Sequence, residues 1–456
     1  MRKIPTRICA FPTLFPTKDF RMNASSRRDF LGTCSALAGA AFLSPSLSHS
    51  ASAANDANAA ASEVGKPYVG WKEGEMDLHF ILTGVGESMF QIYPDGTTLL
   101  LDAGDRDITK YAENVPARPD RSRLASEWIM RYLQRVNPGG KSIDFMMLSH
   151  YHEDHAGAEN SHAGKTQGRG DDYFFSGLAN IGEHFTFKKV FDRGFPQYDQ
   201  PVPLKSDGFT NFVNFTKFMQ AAGRFRMEEF EVGRQNQIAL CRDPEKYPTF
   251  RTRNICRNGI VWTGEEGKTR DFYAEPESRK GRLNENSLSL GFTIEYGPFR
   301  YFTGGDLSGK IWNARHEDLG LDAFVGQVVG PLDVCKTNHH SYKDAMTEGF
   351  TRAVQAKVYV SNVWDLHHLQ ENTMLSMTSA APNVLVCPTI VHEKAWSQYQ
   401  GQPWMANLAP ESREGGHVVV KVFDGGRQFR VYYLTATDES MNVRGVYGPF
   451  TSRAAS

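Results

Sequence analysis

The chain has 456 residues, 40% hydrophobic, 12% aromatic and 23% charged, with a formal net charge of −1. That balance fits a globular protein with ample core and excludes a strongly basic nucleic-acid binder. No stretch reaches the roughly 20 consecutive apolar residues of a membrane-spanning helix, so no membrane span is expected.

Residues 1–53 stand apart from the rest. "SSRRDFL" sets Arg27 and Arg28 before a short apolar run of small residues, and "ASA" at Ala51–Ala53 has the form of a cleavage site. This is the layout of a signal peptide of the twin-arginine type. It implies handling by the twin-arginine export machinery and an exported, periplasmic location. The remainder holds 44 basic and 50 acidic residues, a net of −6. Residues 54–66 read as a linker, and 67–452 as one catalytic domain with an irregular insertion at about 159–283. Cys241, Cys256, Cys335 and Cys387 show no CxxC spacing, which argues against a zinc ribbon. Cys241 and Cys256 flank one polar loop and could pair in an oxidising compartment.

Two stretches resemble each other, "FQIYPDGTTLLLDAGD" (Phe90–Asp105) and "FTIEYGPFRYFTGGD" (Phe292–Asp306). Each reads as a hairpin followed by a Gly-rich loop ending in Asp. The repetition predicts two similar β-sheets packed face to face. Between them, Ser122–Val136 has a Ser cap and an apolar face of Leu124, Trp128, Ile129, Tyr132 and Leu133, which predicts a helix. A strand over Ile143–Ser149 follows and delivers the chain to "HYHEDH". Helices are also expected over Asn211–Ala222 and Asp344–Ala356, and strands over Lys357–Ser361, "HVVVKVF" and "FRVYYLT". This alternation predicts helices covering the sheets. The basic, aromatic stretch Cys241–Gly259 is a candidate for meeting an anionic substrate.

His150 and His152 lie at i and i+2 at the end of an apolar strand, so both side chains face one way and can share one metal ion. Asp154 and His155 follow where the chain turns, which suits a second ion. Histidine with carboxylate selects a borderline divalent metal: zinc first, with manganese or iron as alternatives.

At this HxHxDH motif the chain resembles the metallo-β-lactamase superfamily. The resemblance implies an α/β fold, an αββα sandwich of two β-sheets flanked by helices, with a dinuclear site at the sheet edges. Asp102 of "LLLDAGD" then matches a residue that orients a ligand histidine. Asp306 of "FTGGD" matches a ligand bridging both ions. More narrowly, the chain is similar to the ComEC-type metallo-hydrolase domain of DNA uptake. The matching motifs are "LTGVGESM" (Leu82–Met89), "NENSLSL" (Asn284–Leu290) and "DVCKTNHHSY" (Asp333–Tyr342). It departs from that group in lacking a channel segment and in carrying "HHS" where the group has "HHG".

The resemblance places the last metal-ligating histidine after the "HH" loop, at His368 in preference to His367. A third ligand of the first ion is expected at Asp192 in preference to His184, with His162 too close to the motif. One of His339 and His340, with His340 favoured, is expected to assist the leaving group. The ligand set is therefore His150, His152, Asp154, His155, Asp306 and His368, with Asp192 as the weakest member. The catalytic set is Asp154, His339 and His340. The implied activity is hydrolysis by metal-activated water, on a phosphodiester substrate in the first place. An amide or ester (a lactone or β-lactam) is the alternative substrate, and a non-enzymatic metal-binding protein the second alternative. Partners are a small-molecule or phosphodiester substrate, with nucleic acid entering only as substrate.

Overall fold

Strand alternation sorts the apolar side chains into three layers. In the computed structural model, residues 62–106, 114–158, 173–201, 206–274, 284–309 and 320–453 are described. Leu99 and Leu101 pack with Phe145, Met147, Phe292, Ile294, Tyr301, Val418 and Val420 in a core between two sheets. Leu100, one residue out of phase, faces the other way and packs with Met146, Val190 and Val419 against helical Ile129, Leu133 and Leu178. On the far side, Phe302, Cys335, Tyr359 and Val386 pack against Val325, Phe350, Met374 and Met377. A period of two in each strand thus gives helix, sheet, sheet, helix.

Among the described residues the first sheet has nine strands. Their order is Val443–Thr451, Gln428–Leu434, His417–Phe423, Met76–Phe80, Ser88–Ile92, Thr98–Ala103, Ser142–Met147, Thr186–Phe191 and Arg226–Met227. The second has eight, in the order Leu385–Pro388, Val358–Ser361, Val334–Lys336, Phe299–Thr303, Gly291–Tyr296, Phe250–Arg257, Ile260–Trp262 and Thr269–Asp271. In each sheet an antiparallel hairpin continues into parallel strands. The duplicated pattern of the two "LLLDAGD" and "FTGGD" hairpins is therefore present in the topology.

The helix after the first hairpin runs Ala125–Val136, three residues later than its Ser122 start in the sequence reading. Glu127 explains the shift: its carboxylate accepts the Leu124 N–H at 2.9 Å, which fixes the first turn there. The other expected helices are found at Asp207–Ala221 and Glu348–Val354. Thr347 caps the latter through the Phe350 N–H. Residues 159–283 were expected as an irregular insertion, yet they supply strands to both sheets. These strands are short or lie near sheet edges, so their alternation is weak. The basic stretch at Cys241–Gly259 is part of the second sheet and its charges are mostly spoken for. Arg242 pairs with Asp144, Lys246 with Glu73, Arg257 with Glu229, and Arg253 lies over the Trp262 ring. Cys241 and Cys256 are not bonded, one exposed and the other buried. No helix among the described residues is long and apolar enough to cross a membrane. The twin-arginine segment and His162 lie outside the described residues.

Candidate metal centre

The strands Thr98–Ala103 and Ser142–Met147 run parallel and end together, which brings Asp102 beside Ser149. Asp102 adopts a left-handed backbone, φ 59°, a costly state for a non-glycine residue. In that state its Oδ1 accepts the Ser149 N–H at 2.7 Å, and its Oδ2 meets Ser149 Oγ at 2.7 Å and His155 Nδ1 at 2.8 Å. Two glycines let neighbouring backbone close on this corner. A Cβ on Gly86 would stand 2.6 Å from Asp154 O, and one on Gly104 would strike the same atom.

From the second sheet, the strand Phe299–Thr303 delivers Asp306 to the same edge. The strand Val334–Lys336 delivers the His339–His340 loop. Three consecutive residues of that loop take left-handed backbone: His339 (φ 44°), His340 (φ 50°) and Ser341 (φ 61°). The turn throws His340 inward, where it is fully buried, and leaves His339 partly exposed. Ser341 Oγ is also buried without a hydrogen-bond partner. Serine at this position thus has a cost, since glycine would take this backbone freely. Ser341→Gly is expected to raise stability by about 1 kcal/mol with activity retained, as measured by denaturant unfolding and turnover.

His155 Nε2 lies 3.3 Å from His340 Nε2 and 3.1 Å from Asp306 Oδ2. His340 Nε2 lies 3.2 Å from both Asp306 Oδ2 and Asp154 Oδ2. The outer nitrogen of each ring is already engaged. His155 Nδ1 meets Asp102, and His340 Nδ1 donates to the Asn362 carbonyl at 2.7 Å. Each ring, when neutral, keeps its Nε2 lone pair on the inner side, where that of His340 also accepts the Trp364 indole N–H at 3.3 Å, and a proton or cation between the two nitrogens relieves their repulsion. Beside them, His150 Nε2 lies 3.1 Å from His152 Nδ1 and 3.9 Å from Asp306 Oδ2. The donor set suits divalent metal ions, and His150, His155 and His340 each have an outer hydrogen-bond partner, Ser149 Oγ, Asp102 and the Asn362 carbonyl.

The electrostatics agree with this geometry. Burial alone would raise Asp306 and Asp154, but the neighbouring imidazoles outweigh it and hold both well below the usual carboxylate range. Burial would lower His155, yet Asp306, Asp154 and Asp102 raise it well above the usual imidazole range. Burial likewise opposes charge on His340, which the carboxylates push up to about 9. In His150, which has weaker carboxylate support, burial wins and the ring is held neutral.

Two groups depart from the sequence expectation. His368 is buried beside the cluster but outside it. Its Nδ1 accepts the Trp364 N–H at 3.3 Å and its ring stacks on His340 at 4.4 Å. His340, carried inward by the left-handed turn, joins the cluster with His155 and Asp306, whereas His367 is exposed. Asp192 also does not join the cluster. Its Oδ1 accepts the Gly194 and Phe195 N–H groups at 2.9 and 2.6 Å, which makes it the cap of the turn after its strand. His184 is no substitute, as it is exposed and its Nδ1 meets the Asn180 carbonyl within its own helix.

The structure adds a group that the sequence reading did not single out. Glu87, His155, Asp306 and His340 offer ligand atoms all within 4.8 Å of one another. Glu87 Oε2 is 2.9 Å from Lys336 Nζ, and both side chains are fully buried. Lys336 also donates to the Gly305 carbonyl at 2.7 Å and lies 3.6 Å from Asp306 Oδ1. It therefore offsets part of the negative charge collected by Glu87, Asp102, Asp154 and Asp306. Both residues sat in quoted motifs, "LTGVGESM" and "DVCKTNHHSY". A charged residue closing a short apolar strand, as Lys336 closes Val334–Lys336, is the available signal. His339 carries a second support, with Nδ1 2.6 Å from Asp344 Oδ1 and Nε2 3.1 Å from Asn286 Nδ2.

No family model and no curated protein matches the chain. Among solved structures, the chain is similar to an isothiocyanate hydrolase from Delia radicum gut bacteria. Identity is 10% and the TM-score 0.32, over 75% of this chain and 97% of that one. It is also similar to Tm1679, a metal-dependent hydrolase of the beta-lactamase superfamily. There, identity is 13% and the TM-score 0.29, over 71% of this chain and 92% of that one. At these TM-scores, fold and chemistry rest on the topology and side chains described above.

Proposed function

We propose that this chain is a metal-dependent hydrolase with a dinuclear centre, acting on a phosphodiester in the periplasm. The observation that carries the reading is the facing pair His155 and His340, with Nε2 lone pairs turned inward around Asp306 and outer nitrogens held by Asp102 and Asn362. His150, His152 and Asp306 would hold one ion; Asp154, His155, His340 and Asp306 would hold the other. Two divalent ions, zinc first and manganese or iron as alternatives, supply water of lowered pKa and positive charge for the substrate oxygen when bound.

The remaining work falls to the chain's own residues. Asp102 fixes the tautomer and direction of His155. Lys336 offsets the carboxylate charge from behind. His339 stands at the partly exposed rim, oriented by Asp344, and is the better-placed group to hand a proton to a leaving oxygen, since His340 is committed inward. The resemblance of the "HH" loop to the ComEC-type motif supports a phosphodiester over an amide or ester.

The test is metal analysis of protein purified without chelator, followed by assay on a chromogenic phosphodiester, a lactone and a chromogenic β-lactam. Metal-dependent turnover of the phosphodiester is expected. Turnover confined to the lactone or β-lactam would move the substrate to the alternative class. Two tightly held ions with no hydrolysis at all would leave a metal-binding protein. Export is supported by Arg27 and Arg28 ahead of the apolar run. Replacing both with lysine is expected to retain the full-length protein in the cytoplasm, as read by cell fractionation. Unchanged periplasmic yield would contradict that route.

A further inference from the structure

Tyr151 lies between the two histidines of the first ion and points away from them. Its backbone and ring are gripped on every side by partners that are not metal ligands. The Tyr151 N–H donates to Glu285 Oε1 at 2.9 Å. Glu285 is itself held by Arg193 in a two-pronged pair, Nε to Oε1 at 2.6 Å and Nη2 to Oε2 at 2.7 Å. The Arg193 guanidinium also lies 4.6 Å from the Tyr151 ring centre, and its Nη1 donates to Asn258 Oδ1 at 3.1 Å. On the other side, the Tyr151 carbonyl accepts Ser206 Oγ at 2.6 Å, and the Ser149 carbonyl accepts the Leu290 N–H at 3.0 Å.

A buried ion pair is a weak source of net stability, because desolvation offsets its attraction. Arg193 and Glu285 are 1% and 7% exposed, and they join three distant segments at one backbone N–H. That N–H holds the bend that carries His150, Tyr151 and His152, and so the spacing of the two imidazoles, 3.1 Å between His150 Nε2 and His152 Nδ1. The second ion's ligands, Asp154, His155 and His340, are fixed instead by Asp102, by the short helix Glu153–Ala156 and by the His340 turn. Asp102 also reaches His150 through Ser149 Oγ, 3.1 Å from His150 Nδ1, whereas the Glu285 contact falls on the Tyr151 N–H, between the two histidines of the first site.

We infer that Glu285, locked by Arg193, is the positioning residue of the first metal site, setting the affinity of the His150–His152 ion without acting on the other. The inference rests on the dinuclear reading above. Glu285→Gln keeps the shape of the side chain but loses the charge that holds Arg193 in its two-pronged geometry. Arg193→Lys keeps the charge and loses the two-pronged geometry.

The experiment is stepwise titration of chelator-stripped, folded full-length protein with zinc and with cobalt(II), the cobalt absorption spectrum reporting each site, with melting followed in parallel. Wild type is expected to take up two equivalents. Glu285→Gln is expected to weaken one equivalent by about 10–100-fold and the other by less than about 3-fold. Arg193→Lys should weaken the same equivalent and serves as the reading if Glu285→Gln does not fold. A merely structural pair would lower the melting temperature and weaken both equivalents together, or neither, and either result overturns the inference. A wild-type chain that binds fewer than two equivalents fails at the earlier step and removes the dinuclear reading along with the inference.

Discussion

Replacing His340 with alanine is expected to remove one of two bound metal ions and to lower turnover by more than about 100-fold, whereas His368→Ala retains both ions. The difference follows from where each neutral ring carries its proton: His340 Nδ1 donates and leaves the lone pair on Nε2, whereas His368 Nδ1 accepts and puts the proton on Nε2. His340 spends Nδ1 on the Asn362 carbonyl and turns Nε2 to Asp306, Asp154 and His155 within 3.3 Å. His368 spends Nδ1 on the Trp364 N–H and contributes a stacked face. Losing a supporting group costs about 10–100-fold in metal affinity or activity, and losing a ligand costs more. Metal content by elemental analysis, read beside turnover, checks both variants. Loss of an ion from His368→Ala but not from His340→Ala would reverse the assignment.

The second large effect concerns acid stability and lies away from the centre. His79 and His417 are buried on the helix-covered face of the first sheet, on either side of Tyr132. His79 Nδ1 meets Tyr132 Oη at 2.9 Å, with Asp77, Lys421 and Tyr68 nearby. His417 Nδ1 accepts the Leu82 N–H at 3.1 Å, a bond that protonation would abolish. Burial lowers both rings to about 3, with a further push from Lys421 on His79 and from His79 on His417. Both folded values lie below the unfolded value near 6.5. Between these limits the unfolded state binds protons that the folded state refuses, so stability is fully present above about pH 6.5 and is lost as pH falls. Each group contributes a slope of about 1.4 kcal/mol per pH unit in that window. His417→Gln can still accept the Leu82 N–H and should flatten the slope by that amount between pH 6 and 4.5, measured by denaturant unfolding at several pH values. An unchanged slope would mean that His417 titrates freely in the folded protein.

The sequence made the first half of the centre legible because its logic is local. His150 and His152 lie two residues apart in the bend that follows the strand Ser142–Met147, and Asp154 and His155 follow within one turn. Asp306 was legible through the repeated hairpin, and the structure sets both hairpins in equivalent places in their sheets. The choice between His340 and His368 was not legible. It depends on three consecutive left-handed residues, none of them glycine, and residue type gives no sign of that turn. Asp192 misled for a related reason. It follows a strand as Asp102 and Asp306 were expected to, but its carboxylate folds onto the Gly194 and Phe195 N–H groups. The pairs Glu87–Lys336 and Arg193–Glu285 join residues about 250 and 90 positions apart. Spacing cannot reveal them, although a charged residue closing a short apolar strand hints that a partner exists. Residues 159–283 looked irregular because their strands are short and lie near sheet edges, where alternation fades.

Anomalous-difference crystallography at the metal absorption edge tests the central claim most directly. Two peaks are predicted, about 3.5–4 Å apart as in two-metal hydrolases. One should lie among His150, His152 and Asp306, and the other among Asp154, His155, His340 and Asp306, with His340 Nε2 at about 2.0–2.1 Å. A single peak, or a second peak bonded to His368 in place of His340, would contradict it.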